Sequence, residues 1–312
     1  MTVFEAIVQG VIQGATEFLP VSSSGHLSIS QHMFGLELPG ILFDVMLHLG
    51  TLLAVIFVYR SLIWRLILEF VELCKDVFHR RFKWSEMNQD RRLLMMLIVG
   101  LLPLFLLFLP IPGTDMRVKD LSEMLATDGD IIAEGVALMA TSCLLFVSVT
   151  ANRRMQEMRT VGNSRRRVTR GRSKIHTFDA LLIGLAQCFA AIFPGLSRSG
   201  STLATGLMRK INRQTALDYS FVLGIPAIAA ATLLSLKDLG SDGVQIGAVP
   251  LLVGMLTAAV VGFLAIRLLR WIVTTDRLAW FGYYTFVIGL AVIIIGIIEH
   301  ATGQNLFTGM PL

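Results

Sequence analysis

Two short stretches hold most of the side chains that could do chemistry. Residues 13–26 read QGATEFLPVSSSGH and residues 194–202 read PGLSRSGST, each inside an otherwise apolar segment. A carboxylate, hydroxyls, an imidazole and a guanidinium are the parts of a phosphoryl-transfer site, which needs a nucleophile, neutralised charge and a route for a proton. Arg198 offers planar donors that grip a phosphate at two points, and a guanidinium in apolar surroundings calls for such an anion. Ser197, Ser199, Ser201 and Thr202 can donate to phosphoryl oxygens, as can Ser22 and Ser24, although a single hydroxyl at such a place is more often a helix cap. Glu17 can orient a nucleophile, take its proton, or hold a hydrated Mg²⁺ or Ca²⁺ bridging a diphosphate, with Gln13 as a neighbouring ligand. His26 is the one group of the cluster whose ordinary pKa lies near neutrality, which suits proton transfer. Ser23, between Glu17 and His26, is the candidate nucleophile; a water activated by His26 is its rival.

The elements that position these groups are membrane helices. Of 312 residues 54 % are hydrophobic and 16 % charged, too few charges for a soluble chain of this length. About 20 apolar residues of helix cross the roughly 30 Å of hydrocarbon. Six runs meet that length, near 43–59, 93–110, 131–150, 215–236, 247–269 and 278–299. Two more, 4–34 and 178–208, are broken at mid-length by a Pro, Ser and Gly cluster and read as re-entrant pairs of half-helices around irregular backbone. A cleaved signal peptide is disfavoured, because no Lys or Arg starts the chain and Gln9, Gln13 and Glu17 interrupt its apolar run. Cys74, Cys143 and Cys188 have neither disulfide-framework nor zinc-site spacing.

Loop charge orients the chain. Residues 151–174 carry nine Lys or Arg against one Glu, and the stretch after Tyr59 holds Arg60, Arg65, Lys75, Arg80, Arg81, Lys83, Arg91 and Arg92. Both are expected in the cytoplasm, with the acidic loop 111–130 outside. These basic stretches are read as topology signals, not as a nucleic-acid site.

The two broken segments also correspond to each other. Adding 174 maps Phe4 to Phe178, Ala6 to Ala180, Gly10 to Gly184, Gln13 to Gln187, Pro20 to Pro194, Ser23 to Ser197, Asp44 to Asp218 and Gly50 to Gly224. Each half, 1–150 and 175–312 with the basic linker 151–174 between them, thus holds one re-entrant pair and three spans. Three is odd, so the second copy starts on the opposite face. The expected fold is an all-α polytopic membrane protein of two inverted-topology repeats, with half-helix N-termini meeting at an anion site in mid-membrane.

The first motif has the pattern Glu or Gln, three residues, Glu, then a Ser-rich turn ending in His; the second is Pro-Gly-x-Ser-Arg-Ser-x-x-Thr. Together, in order and at related positions, they resemble the undecaprenyl-diphosphate phosphatase family of bacteria, the bacitracin-resistance type, over nearly the whole chain. The resemblance implies hydrolysis of a fifty-five-carbon polyprenyl diphosphate to its monophosphate, recycling the lipid carrier of cell-wall synthesis in the bacterial inner membrane, with the site opening to the periplasmic face. It places Glu17, Ser23, His26, Arg198 and Thr202 on the family's functional positions. Gln13 stands where many members have a second Glu, which weakens the expectation of a two-carboxylate site for a divalent cation. The implied partners are the lipid substrate and membrane lipids; a homodimer is compatible with the sequence, which does not define the oligomeric state.

The competing function is a flippase or transporter of a lipid phosphate, for which Arg198 and the half-helix dipoles would serve equally. The Glu17, Ser23 and His26 constellation separates the two, because binding alone does not require it.

Overall fold

Six helices of the computed structural model are long and apolar enough to cross a bilayer: Leu42–Phe78, Gln89–Phe108, Ile131–Arg153, Arg213–Ser235, Ala248–Val273 and Ala279–Thr302. They coincide with the six apolar runs of the sequence. The structure describes residues 1–35, 40–81, 83–84, 87–127, 131–161, 171–238, 247–275 and 277–311, and among these it is helical with no β-sheet. In chain order the helices are α1 (Val3–Phe18), α2 (Ser23–Phe34), α3 (Gly40–Phe78), α4 (Gln89–Leu101, continued by a 3₁₀ segment over Leu102–Phe108), α5 (Val118–Thr127), α6 (Ile131–Val161), α7 (Thr177–Ile192), α8 (Arg198–Met208), α9 (Arg213–Asp238), α10 (Ala248–Thr274) and α11 (Ala279–Thr302).

The two interrupted segments are helix pairs that fold back on themselves. Neither α1, of 16 residues, nor α2, of 12, reaches 30 Å at about 1.5 Å per residue. Gln9 Nε2 donates to Ser30 Oγ at 2.9 Å, so the base of α1 lies beside the far end of α2. The second pair closes similarly: the Asp179 carboxylate at the start of α7 pairs with Arg209 at the end of α8, 2.8 Å away, and with Arg172, 2.9 Å away. Pro20 and Pro194 sit in the breaks, where each removes a helix N–H. Each second helix restarts on a serine: Gly25 N–H donates to Ser22 Oγ at 3.3 Å, and Gly200 N–H to Ser197 Oγ at 3.0 Å.

Helix contacts exchange between the halves. α1 lies against α10 so closely that a Cβ on Gly10 would come within 2.6 Å of the Gly254 carbonyl oxygen. α7 lies against α4, where a Cβ on Gly184, 174 positions after Gly10, would come within 2.2 Å of the Gly100 carbonyl oxygen. With little hydrophobic force between helices in lipid, such small-residue approaches let van der Waals contact hold them together. A polar lock ties α2 to α11: buried Glu299 accepts from His32 Nε2 at 2.9 Å and from the Leu306 N–H at 2.8 Å.

Three connections differ from the sequence reading. The basic stretch after Tyr59 is helix as far as Phe78, and its charges pair with the start of α4: Arg91 contacts Asp76 at 2.5 Å and Glu69 at 3.1 Å, and Arg65 contacts Asp90 at 2.9 Å. At 39 residues α3 exceeds the bilayer core, so its basic end projects beyond it. Residues 151–161 of the basic linker extend α6, while 162–170 lie outside the described residues. The acidic loop contains α5; its residues 128–130 also lie outside them.

Candidate active site

The two breaks touch. Ser199 Oγ donates to the Leu19 carbonyl at 3.0 Å, and the Gly195 N–H donates to Ser24 Oγ at 3.3 Å. Beside this junction lies a cavity of about 1080 Å³. Its polar wall comprises Glu17, Ser22, Ser23, Ser24, Ser197, Arg198 and Ser199; Leu101–Phe108 and Pro226–Leu234 supply much of its apolar lining.

Glu17 organises the polar wall. Its side chain is 4 % exposed, and a carboxylate so placed must be compensated. Oε1 is ion-paired with Arg198 Nη2, while Oε2 accepts from Ser23 Oγ at 2.7 Å and from Gln13 Nε2 at 3.0 Å. Both oxygens are therefore engaged, and the serine hydroxyl already points its proton at a carboxylate. Arg198 reaches Glu17 because Gly224 on α9 leaves room: a Cβ there would lie 2.0 Å from Arg198 Nη1. The guanidinium is thus held between a carboxylate and a gap in a helix surface, on the wall of a cavity an anion can enter.

The other expected residues fall into distinct positions. Ser22 and Ser197 cap α2 and α8 as well as lining the cavity, and Ser22 adopts φ 74°, a left-handed conformation costly for a residue with a Cβ. Thr202 turns back on its own helix, donating to the Arg198 carbonyl at 3.0 Å and pairing with Ser220. Ser201 Oγ is buried without a hydrogen-bond partner among the described residues. His26 is not on the cavity wall. Its Nδ1 lies 2.7 Å from the Ser22 carbonyl oxygen, its Nε2 2.9 Å from the Tyr284 hydroxyl, and its ring stacks on Tyr284 with centroids 5.6 Å apart. Gln13 is buried behind Glu17.

Two cavity residues were not singled out as site residues from sequence. Asp44 and His48 lie one turn apart on α3, and His48 Nδ1 is 3.7 Å from Glu17 Oε2. Their signal was available: ionisable residues at i and i+4 inside an apolar spanning run are costly unless they serve a site.

Among the described residues no three His, Cys, Asp or Glu side chains converge as a metal cage. The donor set fits the other mode by which Mg²⁺ is held, one or two carboxylates together with substrate phosphates, because Glu17 and Asp44 line the same cavity.

The fold and site define a polytopic α-helical membrane protein in which two folded-back helix pairs join a carboxylate, a guanidinium and several hydroxyls at one cavity. Comparison with known proteins gives the family. Residues 6–291 match the family described as Bacitracin resistance protein BacA, and the chain belongs to it. It is similar to the undecaprenyl-diphosphatase of Alkaliphilus metalliredigens, 35 % identical over 96 % of this chain and 100 % of that one. The undecaprenyl-diphosphatases of Desulforapulum autotrophicum, 36 % identical over 96 % of this chain and 100 % of that one, and of Methanobrevibacter smithii, 33 % identical over 96 % and 99 %, are alike.

Proposed function

We propose that this protein hydrolyses undecaprenyl diphosphate to undecaprenyl phosphate and inorganic phosphate, and so recycles the lipid carrier of cell-wall synthesis and confers bacitracin resistance. Family membership and the names of its relatives support the reaction. The observation that carries the chemistry is Ser23 Oγ donating to Glu17 Oε2 at 2.7 Å on a cavity wall shared with Arg198.

Ser23 Oγ attacks the terminal phosphorus while Glu17 takes its proton, and the P–O bond to the lipid monophosphate breaks. Water then cleaves the phosphoserine and releases phosphate. Arg198 neutralises the oxygens that gain charge, where a water-poor cavity strengthens its effect. The hydroxyl of Ser24 and the backbone N–H groups at the starts of α2 and α8 add donors for the diphosphate. His26 works from behind the loop, bonded to the carbonyl of Ser22 and thereby supporting the left-handed turn that presents Ser23. Glu17 and Asp44 are the carboxylates that would hold Mg²⁺ or Ca²⁺ against the diphosphate, and such a cation would supply further charge neutralisation.

The packing of α1 on α10 and of α7 on α4 supports two inverted halves, since that exchange relates corresponding helices of the repeat. The cavity is lined from the start of α3, the end of α4 with its 3₁₀ continuation, and the last turns of α9, whereas the basic residues sit at the other end of α3. With basic ends in the cytoplasm, the cavity opens toward the periplasmic face of the bacterial inner membrane.

Phosphate release from undecaprenyl diphosphate by the purified protein in detergent, with and without chelator, tests this reading. Turnover that falls on chelation is expected. Lipid binding without phosphate release would instead favour a flippase, and turnover indifferent to chelator would remove the cation.

A further inference from the structure

Gln13 reveals how His48 is set. Its Nε2 lies 3.0 Å from Glu17 Oε2 and 2.9 Å from His48 Nδ1. A carboxylate only accepts, so the Gln13 atom facing Glu17 is the NH₂ group, and its second N–H is directed at His48 Nδ1. Nδ1 is then an acceptor, which puts the ring N–H on Nε2. That Nε2–H has no hydrogen-bond partner among the described residues, while the side chain lines the cavity and is 37 % exposed. The ring also stands at the reacting end of the cavity: Nδ1 is 3.7 Å from the same Glu17 oxygen that accepts from Ser23 at 2.7 Å.

We propose that His48 is a substrate-binding donor whose Nε2–H holds a non-bridging oxygen of the phosphate that Ser23 attacks, and that Gln13 is the positioning residue that fixes this tautomer. The inference rests on the phosphatase reading above. It explains an amide at position 13: Gln13 reaches a carboxylate and an imidazole with one NH₂, whereas an ionised Glu there could donate to neither and would repel Glu17. The donor complements Arg198, which is paired with the other oxygen of Glu17, so that the phosphate in front of Ser23 meets a guanidinium on one side of Glu17 and the His48 Nε2–H on the other.

The test measures kcat and KM for phosphate release from undecaprenyl diphosphate, the inhibition constant of inorganic phosphate, and the thermal midpoint, on the full chain in detergent. Loss of one hydrogen bond to a charged oxygen is worth about ten- to a hundredfold in affinity. His48→Leu should raise KM and the phosphate inhibition constant together by that factor, with the thermal midpoint kept. His48→Gln, whose amide nitrogen can take the place of Nε2, should restore both to within about threefold. Gln13→Leu, which frees the tautomer, should move both constants in the same direction, and the double variant Gln13→Leu/His48→Leu should lose less than the product of the two single effects. A His48→Leu protein with unchanged KM and unchanged phosphate inhibition overturns the proposal; if that variant does not fold, unchanged constants in Gln13→Leu overturn it instead. Absence of phosphate release by the wild-type protein would be a failure of the phosphatase reading, visible before any variant is made.

Discussion

Gly224→Ala is a one-carbon change aimed at the guanidinium. The new Cβ would stand 2.0 Å from Arg198 Nη1 and 3.2 Å from Cζ, whereas ordinary contact begins at 3.4 Å. Going from 2.0 to 3.4 Å needs a displacement of about 1.4 Å, and displacements near 1 Å at a reacting centre cost on the order of a hundredfold. Arg198 is a long side chain that can yield, so the fold should absorb the methyl while the site does not. We expect kcat/KM for phosphate release to fall by about a hundredfold, with a thermal midpoint near wild type. The control lies 174 residues earlier. A Cβ on Gly50 would come within 2.2 Å of the Met255 carbonyl oxygen, which is rigid backbone of α10, so Gly50→Ala should destabilise the protein first. A Gly224→Ala enzyme with wild-type kcat/KM would refute the placement of Arg198 at the reacting phosphate.

Arg198→Lys keeps a cation but loses the planar fork, and turnover should fall about a hundredfold or more; near-wild-type rates would move Arg198 out of the phosphate site. Ser23→Ala should abolish phosphate release while Ser24→Ala, which loses a binding hydroxyl and the acceptor of the Gly195 N–H, retains part of it; substantial release by Ser23→Ala would make water the nucleophile. Gln187 is 1 % exposed with both amide atoms unpartnered among the described residues, so Gln187→Leu should leave the thermal midpoint unchanged or raise it, and a marked drop would show that the amide has a partner. A cysteine placed at residue 172 should react with an impermeant reagent only from the cytoplasmic side and one at residue 115 only from outside; labelling from one side for both contradicts the inverted halves.

The six spans were legible because lipid leaves no alternative: a long apolar run must satisfy its backbone internally. The breaks were legible for the converse reason, since Pro20 and Pro194 with their serines cannot continue a helix. Where α3 ends was not, because Arg65, Glu69, Asp76 and Arg91 look like a polar loop until their pairing across two helices is seen. Within the site, the meeting of Glu17 with Ser23 lies within six residues and could be anticipated, and the need of Arg198 for an anion is a matter of solvation. His26 was harder. Its sequence neighbours are three serines, but helix geometry carries the ring around α2 to Tyr284, which is 258 residues away. His48 was missed because its relation to Gln13 spans 35 residues and appears only when α1 and α3 pack.

Positions 174 apart show how two similar halves yield a single site. Glu17 corresponds to Ala191, His48 to Val222 and Ser24 to Arg198. The carboxylate and the imidazole lie in the first half and the guanidinium in the second, so neither half alone holds both the carboxylate that accepts from Ser23 and the guanidinium paired with it. The paired aspartates diverge in the same way. Asp218 is saturated, accepting from Tyr59 at 2.6 Å, Gln214 at 2.8 Å and Arg270 at 3.2 Å. Asp44 has one long hydrogen bond, from Gln31 at 3.5 Å, and lies on the cavity wall. Gln13 is fastened between Glu17 and His48, whereas its counterpart Gln187, with Ala191 and Val222 at the corresponding positions, has an amide without a hydrogen-bond partner among the described residues. A carboxylate is tolerable at this depth only when its neighbours compensate it, which Arg198, Ser23 and Gln13 do for Glu17. The outcome is one polar cavity wall, built by both halves.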